Sequence, residues 1–260
     1  MEYLIGFIIA VFIALTGVGA GTITVPILVL FLKVPAATAV TIGLMFATAV
    51  KLILVPSQIA RRNVVWRTLG FMVLGGAPGV IVGSLFLQHL VTKGSTNTLN
   101  FILGVILVTT SGFQLFSFFR AKESDSTRPD RSRLMPWLMF PVGAEVGFSS
   151  AGAGCLGSVA LLSLTPMNAA QVVGTDILFG FVVSLIGSGA HLFSGAWNTT
   201  LLIKLVVGGV IGAIGGTLLS TRVPRRPLRL ILLCWLLFLG GQFLFNSYSV
   251  WAAAAAHAGH

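Results

Sequence analysis

The chain has 260 residues, 56% of them hydrophobic and 8% charged, and its mean hydropathy is +0.99. An ordinary soluble domain is about one quarter charged, so this composition excludes that class and selects an all-α polytopic membrane protein. A formal net charge of +10 would suggest nucleic acid in a soluble protein. Here the basic residues cluster at segment ends, where cytoplasmic retention and anionic lipid account for them, and no nucleic-acid partner is expected.

Eight apolar segments follow in chain order: Tyr3–Leu32, Ala36–Ala60, Thr68–Val91, Thr98–Phe119, Leu134–Leu164, Asn168–Phe193, Thr200–Thr221 and Leu228–Trp251. Met1-Glu2-Tyr3 offers no basic n-region, so no removable signal peptide is expected. The first segment is broken by Gly17-Val18-Gly19-Ala20-Gly21-Thr22, and the fifth by Ser150-Ala151-Gly152-Ala153-Gly154-Cys155, 133 positions later. Residues 121–133, charged and containing Pro129, form the long polar linker between repeat 1 (1–120) and repeat 2 (134–251). Residues 252–260 are a low-complexity Ala/His tail, set aside from functional reasoning.

The two halves are copies. At the offset of 133, Gly19 and Gly21 fall on Gly152 and Gly154, Gly75-Gly76 on Gly208-Gly209, Gly79 on Gly212 and Gly83 on Gly216. Gly112-Phe113-Gln114 resembles Gly240-Gly241-Gln242 once the offset shortens to 128. An ungapped register across so many glycines is a strong repeat signal.

As one helix, Tyr3–Leu32 would be roughly 45 Å long against a hydrocarbon core of about 30 Å. Split at the glycines, its arms are roughly 21 and 16 Å, too short to cross alone, and they suit a hairpin that dips to mid-membrane and returns. Charge arbitrates between the two topologies. With all eight segments crossing, the connections carry 8 basic residues on one side and 6 on the other. With the two broken segments re-entrant, one side carries 12 and the other only Lys33 and Lys93. The positive-inside rule selects the second. Each repeat is then a re-entrant hairpin plus three transmembrane helices. Three is odd, so the repeats are inverted, both termini lie outside the cytoplasm, and the glycine tips meet near the midplane.

Glycine breaks at matching places in two inverted halves point to a binding site. The second arm of each hairpin starts at the tip, so its first free N–H groups and positive dipole end face the midplane, an anion site built from backbone. Gly17, Gly19, Ala20, Gly21 and Thr22 are its candidates in repeat 1, and Gly152, Ala153, Gly154 and Cys155 in repeat 2. The glycines at 75, 76, 79 and 83 and their counterparts are read as close helix packing.

Lys51 lies roughly 15 Å from the cytoplasmic boundary at Arg61. An isolated lysine there costs at least about 2.5–3.5 kcal/mol, so it calls for a carboxylate or a bound anion. Thr41, Thr48, Lys51 and Gln58 share one stripe of an ideal helix, and across the repeat Lys51 matches Ser184 and Gln58 matches His191. Asp176 matches Gly43, which makes the halves chemically unequal; it is read as an ion-pair partner of Lys51, a proton carrier or a backbone cap. His191 can titrate near neutrality, though its place in the segment suggests a satisfied interfacial histidine. Glu145 in the fifth segment is left between a role in the membrane and a structural hydrogen bond, and Lys204 is expected to snorkel. No catalytic constellation or metal spacing is present, so neither an enzyme nor a cofactor is expected.

These features resemble the TauE/SafE (sulfite exporter, TSUP) family. The residues that carry the resemblance are Leu15-Thr16-Gly17-Val18-Gly19-Ala20-Gly21, Pro26, Pro35 and Ala39-Val40-Thr41, then Gly152-Ala153-Gly154, Pro166 and Val173-Gly174-Thr175-Asp176. The resemblance implies a secondary transporter of a small sulfur-containing anion (sulfite, sulfonate or sulfoacetate class) in the cytoplasmic (inner) membrane, with proton motive force as the coupling. Thr41-Ile42 stands where the second half has Gly174-Thr175, against a symmetric two-copy site. The expected partners are that anion, protons and the lipid bilayer, with a homodimer left open. An anion channel with the same site and a non-transporting membrane scaffold are the rival readings.

Overall fold

The computed structural model describes residues 1–16, 20–94, 96–120, 130–151, 156–192, 197–219 and 225–258, all of it helix and connecting turn. The helices are α1 (Glu2–Thr16), α2 (Ala20–Leu30), α3 (Ala36–Ala60), α4 (Trp66–Thr92), α5 (Thr96–Arg120), α6 (Met135–Ser149), α7 (Leu156–Leu164), α8 (Ala169–Leu192), α9 (Thr199–Leu219) and α10 (Arg225–Ala258), with a 3-10 turn over Ser132–Leu134. Six of them, α3, α4, α5, α8, α9 and α10, are long and apolar enough to cross a membrane. The chain is thus an all-helical membrane protein. α1, α2, α6 and α7, at 15, 11, 15 and 9 residues, fall short of the roughly 20 a crossing needs.

Glycine sets the packing. A Cβ added at Gly75, Gly79 or Gly83 of α4 would overlap the carbonyls of Pro136, Phe140 or Ala144 of α6. On the other side, a Cβ at Gly208 or Gly212 of α9 would overlap the carbonyls of Tyr3 or Phe7 of α1, and one at Gly216 would crowd Val11. A missing side chain every fourth residue lets two backbones meet directly, the small-residue seam that drives helix association in lipid. Within each seam the contacts ascend together along both chains, so α1 runs parallel to α9 and α6 parallel to α4. Phe179 and Val183 pack on Gly76, and Phe46 and Val50 pack on Gly209. Every one of these pairs has a counterpart at the interval of 133.

α3 and α8 form the interior pair, with Phe46 and Phe179 fully buried. They run antiparallel, because Thr41 meets His191 while Lys51 meets Ser184. α5 packs against α10 through Gly104 and Gly240. The backbone N–H of Arg131, just ahead of α6, donates to the carbonyl of Leu164 at the end of α7 (2.8 Å), so this pair of short helices starts and ends together.

Two local readings change. The last helix continues through the Ala-rich stretch to Ala258 instead of stopping at Trp251, since alanine is the strongest helix former. Lys204 does not simply snorkel: its Nζ pairs with Glu2 Oε2 at 2.8 Å, tying the starts of α9 and α1 together.

Candidate functional site

Residues before and after the long linker meet where α2 begins. Gly21, in the first turn of α2, is buried against Ser150, the residue that ends α6. A Cβ on Gly21 would overlap both the carbonyl and the hydroxyl of Ser150, so only glycine allows this approach. Ser150 itself adopts a left-handed conformation (φ 59°, ψ −1°), and its N–H donates to the carbonyl of Val146 at 2.8 Å, closing α6. Its side chain is 4% exposed, and its Oγ has no hydrogen-bond partner among the described residues. That hydroxyl points between Gly21 and Gly43; a Cβ on Gly43 would lie 3.0 Å from it. Thr22 and Thr24 are buried on the same short helix. Pro26 in the middle of α2 cannot donate to the carbonyl of Thr22.

Behind the tips, the α3–α8 interface is a polar ladder in an apolar surround. Lys51 is 5% exposed, and its Nζ donates to Ser184 Oγ at 3.5 Å across 133 positions, the interval that relates the glycine seams. Thr48 Oγ1 and Ser188 Oγ share a hydrogen bond at 3.2 Å. Thr41 Oγ1 donates to the carbonyl of Ala37 (3.0 Å) and lies 3.5 Å from Nδ1 of His191. His191 Nε2 donates to the carbonyl of Gly147 on α6 at 3.1 Å; a carbonyl only accepts, so the proton in this contact sits on Nε2. His191 is thus a hydrogen-bonded residue buried within the protein, 2% exposed. α6 covers the end of α8 there, and nothing local to residue 191 announces that cover.

Asp176 is 3% exposed and lies against the first turn of α7. Its Oδ2 accepts from Ser158 Oγ at 2.5 Å, and a Cβ added at Gly157 would overlap Oδ1. The bonding partners shown for Lys51 and Asp176 are Ser184 for the lysine and Ser158 for the aspartate.

Gln58 stands apart. It is half-buried, and its Oε1 accepts from Asn63 Nδ2 at 3.1 Å, which closes the turn between α3 and α4 about two helical turns beyond Lys51. Glu145 faces a cavity of about 370 Å³ between α4, α5 and α6, away from the α3–α8 ladder. Ala20 begins α2. Gly17, Gly19, Gly152, Ala153, Gly154 and Cys155, the rest of the expected tips, lie outside the described residues.

Ser150 and Ser158 are the additions to the sequence reading. Ser150 was visible only as the first letter of the second glycine patch, aligned with Gly17. Ser158 aligns with Val25, so the repeat pattern hid it.

Residues 3–243 match the family described as Sulfite exporter TauE/SafE. The chain is 27% identical over 240 residues to the "Probable membrane transporter protein YjnA" of Bacillus subtilis (strain 168), covering 88% of this chain and 93% of that protein. No solved structure matches. With a match across nearly its whole length, six membrane-length helices and a buried polar interior, the chain belongs to the sulfite exporter TauE/SafE family and is a multi-pass membrane transporter.

Proposed function

We propose that the protein is a secondary transporter of a small sulfur-containing anion of the sulfite or sulfonate class in the cytoplasmic membrane, working by alternating access around a site between its two halves. The observation that carries this reading is Lys51, a deeply buried cation whose hydrogen-bond partner is Ser184, its own counterpart at the interval of 133. In an inverted repeat, a residue that touches its counterpart lies at the two-fold axis, where the halves must part and rejoin. A fixed positive charge at that place suits an anion that passes from one side to the other.

The rest of the site is hydroxyl and backbone. Ser150 Oγ lies against Gly21 in the first turn of α2, where a helix leaves N–H groups free, and sulfite or sulfonate oxygens accept several such bonds without demanding a particular side chain. The paired seams α1–α9 and α4–α6 support the inverted-repeat arrangement, since each holds the short helices of one half against the other half. The Arg131–Leu164 contact supports a re-entrant second hairpin. In this topology both termini lie outside the cytoplasm. Asp176 and His191 are the buried groups proposed to carry a coupled proton, because each links α8 to a hairpin helix, Asp176 through Ser158 and His191 through Gly147.

The test is flux of sulfite, thiosulfate and a small sulfonate into proteoliposomes, with and without a proton gradient. Saturable, gradient-dependent exchange of at least one of them is expected. Flux that rises linearly with concentration and shows no counterflow would instead mean a channel, and no flux of any would sink the reading.

A further inference from the structure

The two halves differ at three positions that lie together in space. Around the first turn of α7 stand Gly157, Ser158 and Asp176: the carboxylate accepts from Ser158 and occupies the room that a side chain at Gly157 would need. At the interval of 133, the corresponding residues around the first turn of α2 are Thr24, Val25 and Gly43. The acid, the serine that donates to it and the glycine that makes room for it have all been exchanged. Gly43 carries no side chain, and what faces it instead is Ser150 Oγ, buried and without a partner among the described residues, with Val25 Cγ2 beside it.

We infer that the protein binds a single substrate anion per chain, at the first turn of α2 beside Gly43 and Ser150, and that Asp176 is a resident anion filling the corresponding place at the first turn of α7. This rests on the transport-site reading above and says which of the two tips takes the substrate. A helix start favours negative charge, and in one half an aspartate carboxylate of the chain itself supplies it whenever its proton is off. In the other half the same dipole and an orphan hydroxyl favour a diffusible oxyanion of comparable size, with Lys51 roughly 12 Å further along α3 from Gly43. An orphan buried hydroxyl costs about 1–3 kcal/mol, which a bound oxygen relieves. Asp176 also shows the chemistry that such a place accepts: a compact oxygen anion that takes a hydroxyl bond.

The experiment is calorimetric titration of the purified protein in detergent with sodium sulfite and sodium thiosulfate. Wild type should bind one anion per chain. Gly43→Asp installs a second resident carboxylate and should weaken binding more than tenfold, while Gly43→Asn, which fills the same room without the charge, should weaken it several-fold less than Gly43→Asp does. Equal loss in both would overturn the charge argument. Asp176→Gly, which puts at this place the residue found at Gly43, empties it and should raise the stoichiometry from one anion toward two, the second weaker; a ratio that stays at one overturns the assignment of Asp176, and this variant decides the matter if Gly43→Asp does not fold. Wild type that binds no anion overturns the transport-site reading and this inference with it. Binding that is lost in Ser150→Ala and Lys51→Ala but kept in Gly43→Asp overturns the division between the tips alone.

Discussion

Lys51 Nζ lies 3.5 Å from Ser184 Oγ, and the two residues are separated by 133 positions, the interval that also relates Gly75 to Gly208 and Phe46 to Phe179. One copy of the repeat offers an ammonium at this place and the other a hydroxyl. The pair therefore keeps the interval of the glycine seams and differs in its chemistry. Both residues are buried, Lys51 at 5% and Ser184 at 2% exposure, and a surround of low dielectric strengthens whatever the ammonium binds.

Replacing that ammonium separates stability from function. Lys51→Met removes a charge whose burial costs at least about 2.5 kcal/mol, so the variant should melt at or above the wild-type temperature in detergent. The same change should weaken sulfite binding roughly 10- to 100-fold, the equivalent of one charge-assisted hydrogen bond of about 1.5–3 kcal/mol. A melting curve and a titration on one preparation check both halves of the statement.

At the tip contact the opposite separation is expected. Ser150→Ala deletes a hydroxyl that no described residue engages, so stability should hold while anion affinity falls about fivefold, near 1 kcal/mol. Gly21→Ala instead drives a Cβ into the Ser150 backbone and should cost about 1–3 kcal/mol of stability or prevent folding. Thermal melts of the two variants side by side distinguish a binding hydroxyl from a packing glycine.

The glycine seams should behave as twins. Gly75→Ala and Gly208→Ala each force a side chain onto a facing carbonyl, of Pro136 or Tyr3, and should lower the melting temperature by similar amounts. Gly70→Ala and Gly215→Ala, where nothing stands within 4 Å, should be neutral or stabilising. Unequal losses at 75 and 208 would argue against equivalent halves.

The topology has its own check in intact cells. A cysteine at Lys33, in the turn between α2 and α3, should react with an impermeant maleimide from outside, and one at Arg62, in the turn between α3 and α4, only after the cytoplasmic face is opened. Labelling at position 33 from the cytoplasm alone would contradict re-entrant hairpins.

Beside α6, the N–H of Ser132 donates to Asp130 Oδ1 at 2.9 Å and, more than any other contact, holds that carboxyl below its ordinary range. A lowered carboxylate stabilises the fold above the unfolded-state pKa and loses its effect as pH falls through the lowered value. The group is largely exposed, so the effect is local. Asp130→Ala should speed hydrogen exchange at Ser132–Leu134 at neutral pH, and wild type should approach that rate on strong acidification.

Much of this architecture could be read from the chain because its glycines recur at fixed intervals. A run such as Gly75, Gly79 and Gly83 announces a backbone seam wherever it occurs, and its repetition at Gly208, Gly212 and Gly216 pairs the halves without any three-dimensional information. What the sequence does not convey is which seam partner each glycine chooses. α4 packs on α6 of the other half, which is how His191 comes to lie under Gly147 and how Ser150 reaches Gly21, 129 positions away. An ideal helical stripe puts Gln58 in line with Lys51 but does not convey its bond to Asn63 in the following turn. Asp176 was visible as an oddity against Gly43, whereas its donor Ser158 was not, since an isolated serine in a short apolar helix carries no signal of its own.

The most direct test of the central claim is sulfite exchange in proteoliposomes, comparing wild type with Lys51→Met at equal reconstituted amounts. Saturable exchange by wild type, with the variant near the protein-free background, is the expected result. Equal rates for the two proteins, with the variant folded and inserted, would contradict a site between the halves built on Lys51.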